Sequence, residues 1–248
     1  MGNLMKTEWY KLRKDRAFRF LTWMLIAVAV LFPLLEFEGV SGLPTVNEYY
    51  LNTVLGVHTD IVKLIPSILA GFFITSEYSM GTMKSIASSG NSRIRIYFAK
   101  LTMFSVGAIV ISLILPVFMT GASAIYFGFN DMPDWTFFFQ TIGLIILYAA
   151  AFASIMAFFS IMFTDSGKTI GFLLLFFMMI NWPLQLLAAK VPFFEPIINH
   201  SIFKLVYDIV KIGQLDSSEV FFLVVIPILT FLVSGILGSI IFRKKEIK

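Results

Sequence analysis

The sequence predicts an all-α membrane protein with six transmembrane helices, and three observations carry that expectation. Of 248 residues, 58% are hydrophobic and 14% charged, with 28 Phe and 12 Met, and the mean hydropathy is +0.87. Five apolar runs approach or exceed the ~20 residues needed to cross a hydrocarbon core about 30 Å thick. The basic residues cluster beside alternate ends of those runs, the pattern left when Lys and Arg stay on the cytoplasmic side.

The elements follow in order. Residues 1–19 read as an amphipathic helix: Met5, Trp9 and Leu12, with Leu4 less cleanly, share one face, and Lys6, Lys11, Arg13 and Lys14 fall largely on the other. Such a segment lies along the inner membrane surface; a basic tail that only fixes topology is the alternative. A cleaved signal peptide fits poorly, because no small-residue cleavage site follows the apolar run at Leu34-Leu-Glu-Phe-Glu38. The predicted spans are 20–35, 61–75, 100–126, 137–163, 170–189 and 220–242. The second is short, but Thr45 and Glu48 fit a capping box that starts a longer helix upstream. Close-packing pairs in the sixth, Ser234 with Gly238 and Gly235 with Ser239, predict contact with some other helix.

With an even number of spans both termini share a side. That side collects 15 of the 19 basic residues, and the other holds Lys63, Lys190, Lys204 and Lys211 against ten acidic residues, Glu36, Glu38, Glu48, Asp131, Asp134 and Glu195 among them. The termini and residues 76–100 are therefore expected inside a cytoplasmic membrane. Cysteine is absent, which excludes disulfides and thiolate metal sites. The net charge of +4 belongs to this topological bias and carries no nucleic-acid inference.

Several chemical motifs fail on inspection. Ser166-Gly167-Lys168-Thr169 has Met162 where a phosphate loop needs glycine and follows an apolar span, so it reads as a short turn. His58 and His200 stand far apart without acidic partners at ligand spacing, so no metal site is assigned. Asn199-His200-Ser201 fits a glycosylation pattern, which matters only in a secretory pathway that glycosylates it. Asp60 and Lys63, three apart, fit a pair near the outer surface. In the fifth span Asn181, Pro183 and Gln185 form the single polar cluster of a core segment, either a kinked, lined cleft or a structural proline beside a satisfied amide. Between spans five and six, Ile202, Leu205, Val206, Ile209 and Ile212 recur at helical spacing up to Gly213, so 191–218 reads as an outer helix, re-entrant or interfacial.

Residues 76–96 are the polar island of the chain. Ser79 is expected to cap a short helix in which Met80, Met83 and Ile86 or Ala87 share a face, before Ser88-Ser-Gly-Asn breaks it and Asn91 or Ser92 caps the next span. A short helix with an apolar stripe between two spans has the shape of a knob for a groove in another protein; a linker resting on lipid is the alternative.

The order Glu77, Gly81-Thr82, Lys84, a Ser/Gly-rich stretch, Arg93 and Lys100 resembles the coupling region of type 2 ABC exporter permeases. The N-terminal segment, with Met5, Trp9, Leu12, Arg13 and Lys14, is similar to that family's elbow helix, and the resemblance covers essentially the whole chain as one transmembrane domain, 1–248. It implies that Glu77, Met80, Gly81, Thr82, Met83, Lys84, Ile86 and Arg93 contact or brace a separate P-loop ATP-binding subunit. Two copies of that subunit, carrying ATP and Mg, would drive alternating access in a pair of permeases, the second being another copy or a paralogue. No cofactor is expected on this chain, and no catalysis. The small size looks most like permeases that export antimicrobial or toxic peptides, lantibiotic-immunity permeases included, and a Phe- and Met-rich interior suits hydrophobic or amphipathic peptide cargo. An ion-coupled carrier or channel, and a membrane scaffold or sensor, stand as alternatives.

Overall fold

The computed structural model describes residues 2–39, 44–88, 90–129 and 131–246. Ser89, Lys248 and the side chain of Glu38, which entered the expectations above, lie outside the described residues. Helices account for nearly all of the rest, and six of them are long and apolar enough to cross a membrane.

Helix α1 (Gly2–Lys14) is separated from α2 (Arg16–Gly39) by Asp15 alone. Asp15 makes the corner, since its Oδ1 accepts a hydrogen bond from the Phe18 amide at 2.9 Å and so caps the new helix. The second span, α3 (Val46–Ser79), runs 34 residues and starts well upstream of the expected 61–75. Its start is the Thr45 capping box: the Glu48 amide donates to Thr45 Oγ1 at 3.2 Å, and the Thr45 amide to Glu48 Oε2 at 3.1 Å. At ~1.5 Å per residue such a helix is roughly 50 Å long and stands well beyond a 30 Å core.

A five-residue helix, α4 (Met83–Ala87), precedes α5 (Arg93–Phe127). Ser92 caps α5 by accepting from the Arg95 amide at 3.4 Å. The expected cap by Ser79 does not form. Ser79 still belongs to the end of α3, and its hydroxyl donates to the Thr75 and Ser76 carbonyls. Helix α6 (Trp135–Ser160), capped by Asp134, stops three residues before the expected 163. The expected turn at 166–169 is instead the first turn of α7 (Ser166–Lys190), where Asp165 Oδ1 accepts from the Lys168 amide at 2.8 Å. Helix α7 breaks at Ile180, because Pro183 has no N–H for the Met179 carbonyl. The last span is α10 (Ser217–Lys244), started by an Asp216–Glu219 capping box.

Between α7 and α10 the predicted single helix is replaced by α8 (Glu195–Asn199), α9 (Ile202–Leu205) and a 3₁₀ segment, Asp208–Gln214. The apolar residues explain this: 202 and 205, then 206, 209 and 212, are spaced by three, and a three-residue turn stacks them on one buried edge. The segment folds back against the spans. The Phe203 ring lies 6.3 Å from Phe177 and 6.0 Å from Phe152. Phe177 sits about 20 Å along the helix from Lys190, so the chain dips deep between the spans.

The spans are arranged as a centre and a periphery. In α3, α5 and α6, 61%, 56% and 61% of the most apolar stretch is buried within the chain, against 22%, 11% and 17% in α2, α7 and α10. The small residues Ala149, Ala151, Ala153 and Ala157 of α6 let its neighbours approach. The pairs in α10 find their partner in the same chain: Gly235 and Gly238 lie against Leu101 and Tyr97 of α5, and a side-chain carbon at Gly238 would overlap the Tyr97 hydroxyl.

Candidate functional site

The chemistry-bearing side chains gather at the end of the bundle that holds both termini. Helix α1 presents Glu8 and Leu12 inward, both buried, with Leu4, Met5 and Lys11 half-buried beside them. Leu12 seats α1 on α5, since a side-chain carbon at Gly107 would meet it at 3.0 Å. The expected division of faces is therefore corrected: Trp9 points outward, and Lys11 sits on the inward edge. Arg13 and Lys14 are exposed.

Four charges close a ring around this contact. Lys11 Nζ lies 2.7 Å from Glu8 Oε1 and 2.6 Å from Glu77 Oε1. Lys100 Nζ lies 3.1 Å from Glu8 Oε2 and 2.6 Å from Glu77 Oε2. Glu8, Glu77 and Lys100 are buried, and Lys100 also faces the Phe73 ring at 5.5 Å. Signs alternate around the ring and sum to zero, which makes burial of four charges tolerable where a lone one would be costly. Burial acts to lower the Lys11 pKa, but hydrogen bonds and attraction from Glu77 and Glu8 outweigh it and hold it above its ordinary value. The ring joins α1 to α3 and α5, the two spans on either side of α4.

The connection between those spans follows from local rules. Helix α3 ends as the Met80 amide bonds the Ser76 carbonyl and the Gly81 amide the Tyr78 carbonyl. Gly81 has φ +71°, a left-handed conformation that glycine adopts without the penalty of a Cβ. Thr82 Oγ1 then donates to the Glu77 carbonyl at 3.3 Å. Beyond this turn Met83 is buried and Ile86 half-buried, while Met80, Gly81, Thr82 and Lys84 are exposed. Met80 thus does not share the inward face of Met83 and Ile86. The apolar stripe anchors α4 to its own bundle, and the surface offered outward is Met80-Gly81-Thr82 with Lys84.

Arg93 fixes the far side of the loop. Its Nη1 donates to the Lys245 carbonyl at 2.7 Å and the Arg243 carbonyl at 3.1 Å, closing the C-terminal end of α10. Lys245 Nζ in turn donates to the Ile161 and Phe163 carbonyls, at 2.6 and 2.8 Å, below α6, and stands 3.9 Å over the Tyr78 ring. Desolvation there lowers the Lys245 pKa to about 8. Helix α7 joins through Thr169 Oγ1, which donates to Thr75 Oγ1 at 3.1 Å, and through the close approach of Ile170 to Gly71. The loop 80–92 is consequently tied at its roots to α1 and to every span except α2.

At the opposite end a second polar junction forms. Lys63 is buried, 3.0 Å from Asp60, and donates to the Tyr207 hydroxyl at 2.9 Å. Asn181 donates to the same hydroxyl at 2.8 Å. The Asp60–Lys63 pair forms as expected, with Asp60 exposed and Lys63 buried beneath it. Asn181 and Gln185 line a cavity beside it; Pro183 does not.

Sequence reasoning missed Glu8 and Lys245. Glu8 had a signal, since Leu4, Glu8 and Leu12 stand four apart on one helical face. Lys245 had none, being one of several basic residues after the last span.

A family model described as "ABC-2 family transporter protein" matches residues 4–172, well over half of the chain, from α1 through the spans that flank the loop and into α7. No curated protein matches the chain.

Proposed function

The chain belongs to the ABC-2 family of transporter proteins, and from that premise we propose that it is the membrane-spanning half of an ATP-driven exporter whose ATPase is a separate subunit. One observation supports this most: the exposed Met80-Gly81-Thr82 turn with Lys84 stands on roots bonded to α1, α3, α5, α6, α7 and α10. A push on that turn reaches nearly the whole bundle, because packed helices shift as units rather than deform. In this reading the end carrying the termini is cytoplasmic, in line with its basic residues. Two ATP-binding subunits act on two such chains, copies or paralogues, in the cell membrane of a bacterium. Glu77 and Arg93 brace the loop, and Met83 and Ile86 anchor it.

For cargo we infer amphipathic peptides, antimicrobial or toxic ones included. The Phe- and Met-rich interior supports adaptable apolar contact, through the run of rings at Phe152, Phe177, Phe203 and Phe176 beside the folded-back segment. The buried Lys63 favours a second reading, an ion-coupled carrier, since an ionisable side chain enclosed among the spans marks function in many transporters.

Purification of the tagged chain from its native membrane in mild detergent separates the two. We expect a P-loop ATPase to co-purify in stoichiometric amount, and Met80→Glu with Lys84→Glu to abolish its association while the chain stays inserted. Absence of any such subunit, together with ion-gradient-driven uptake by the isolated chain, would overturn the ATP-driven reading.

A further inference from the structure

The end of the bundle away from the termini contains a cavity of about 710 Å³ between α7 and the folded-back segment. One wall is a single face of α7: Asn181, Gln185 and Ala188 stand four and three apart. The other wall carries Glu195, Lys204 and Tyr207. The small Ala188 leaves the room. Its base is fixed, because the Tyr207 hydroxyl is held by Asn181 and by Lys63, a side chain only 1% exposed.

Glu195 and Lys204 are both exposed, and among the described residues neither enters an ion pair. Two free charges of opposite sign on one cavity match a ligand that also carries both. The ground around the cavity is apolar and exposed, with Trp182, Leu186, Leu187 and Phe193 on the surface that a membrane would bathe. The volume falls in the range of small-molecule sites, roughly 300–1,000 Å³, and holds a headgroup with its glycerol rather than a whole lipid.

We propose that this cavity binds the headgroup of one zwitterionic membrane phospholipid, with its amine toward Glu195 and its phosphate toward Lys204. The acyl chains leave across the exposed face of α7. Equal and opposite charges on the wall select against an anionic lipid, whose phosphate would still meet Lys204 but whose headgroup brings no cation to Glu195. The inference rests on the spans and the cavity, not on ATP-driven transport.

The test uses the full-length chain in nanodiscs of equal phosphatidylethanolamine and phosphatidylglycerol, released into detergent for native mass spectrometry. One phosphatidylethanolamine retained per chain, about tenfold over phosphatidylglycerol, is expected. Ala188→Trp, which fills the cavity, should abolish retention, whereas Ile236→Trp on the exposed face of α10 should not. Glu195→Gln should remove the headgroup preference and serves as the readout if Ala188→Trp fails to fold. Equal retention of both lipids, retention unchanged in Ala188→Trp and Glu195→Gln, or a cavity occupied by a second copy of the chain or by a peptide, would each overturn the proposal.

Discussion

Replacing Glu8 by Gln takes one of two carboxylates from the buried ring and leaves Lys11 and Lys100 to share Glu77. An uncompensated buried charge of this kind costs about 3–5 kcal/mol. Glu8→Gln with Lys11→Gln leaves the neutral pair Glu77–Lys100, so the double variant should be more stable than Glu8→Gln alone, with a coupling of about 1–3 kcal/mol. Thermal unfolding in detergent across the cycle checks this, and additive losses would mean that the ring does not act as a unit. Glu77 and Lys100 were legible from their positions beside the spans. Their joint partners were not, because a charge on a basic amphipathic segment looks solvated until the tertiary contact turns its face inward.

At the scale of elements, α5 and α10 meet through glycine. Gly238→Val forces the rigid, buried Tyr97 ring to move, and overpacking of this sort costs about 1–3 kcal/mol. Pairing it with Tyr97→Leu should restore most of the loss, and unfolding of the two variants decides the matter; no recovery would place the strain elsewhere. The existence of all six spans was readable from length and hydropathy, and so was the start of α3 from Thr45 and Glu48. Their true extents were less so. Helix α3 gained length from residues 46–60, where exposed Glu48, Asn52 and Asp60 lower the local hydropathy while Val46, Tyr49, Val54 and Leu55 between them are buried. The segment 202–212 was read as one helix because a spacing of three satisfies both an α and a 3₁₀ pattern, and only the buried fit on α6 and α7 decides between them.

For the molecule as a whole, the burial of α3, α5 and α6 and the exposure of α2, α7 and α10 make a fixed centre with three flanking helices. The chain has no cysteine, so single cysteines report position without background. Lys204→Cys should react with a membrane-impermeant maleimide on intact cells, and Met80→Cys only after permeabilisation, the outcome that basic residues at the terminal end predict. The reverse pattern would invert the proposed orientation. Spans, parity and the loop were all visible in the residues, whereas the bracing of one end by four charges and two cationic caps depends on residues from 8 to 245 meeting in space. That separation sets an order of biosynthesis. The ring cannot close until Lys100 has left the ribosome, so α1 waits undocked while the first two spans insert. Arg93 finds its carbonyls, and Lys245 its own, only after the last span is threaded. The end of the bundle that carries the loop therefore closes only once Lys245 has been made, and a chain cut short before Lys245 would leave it open.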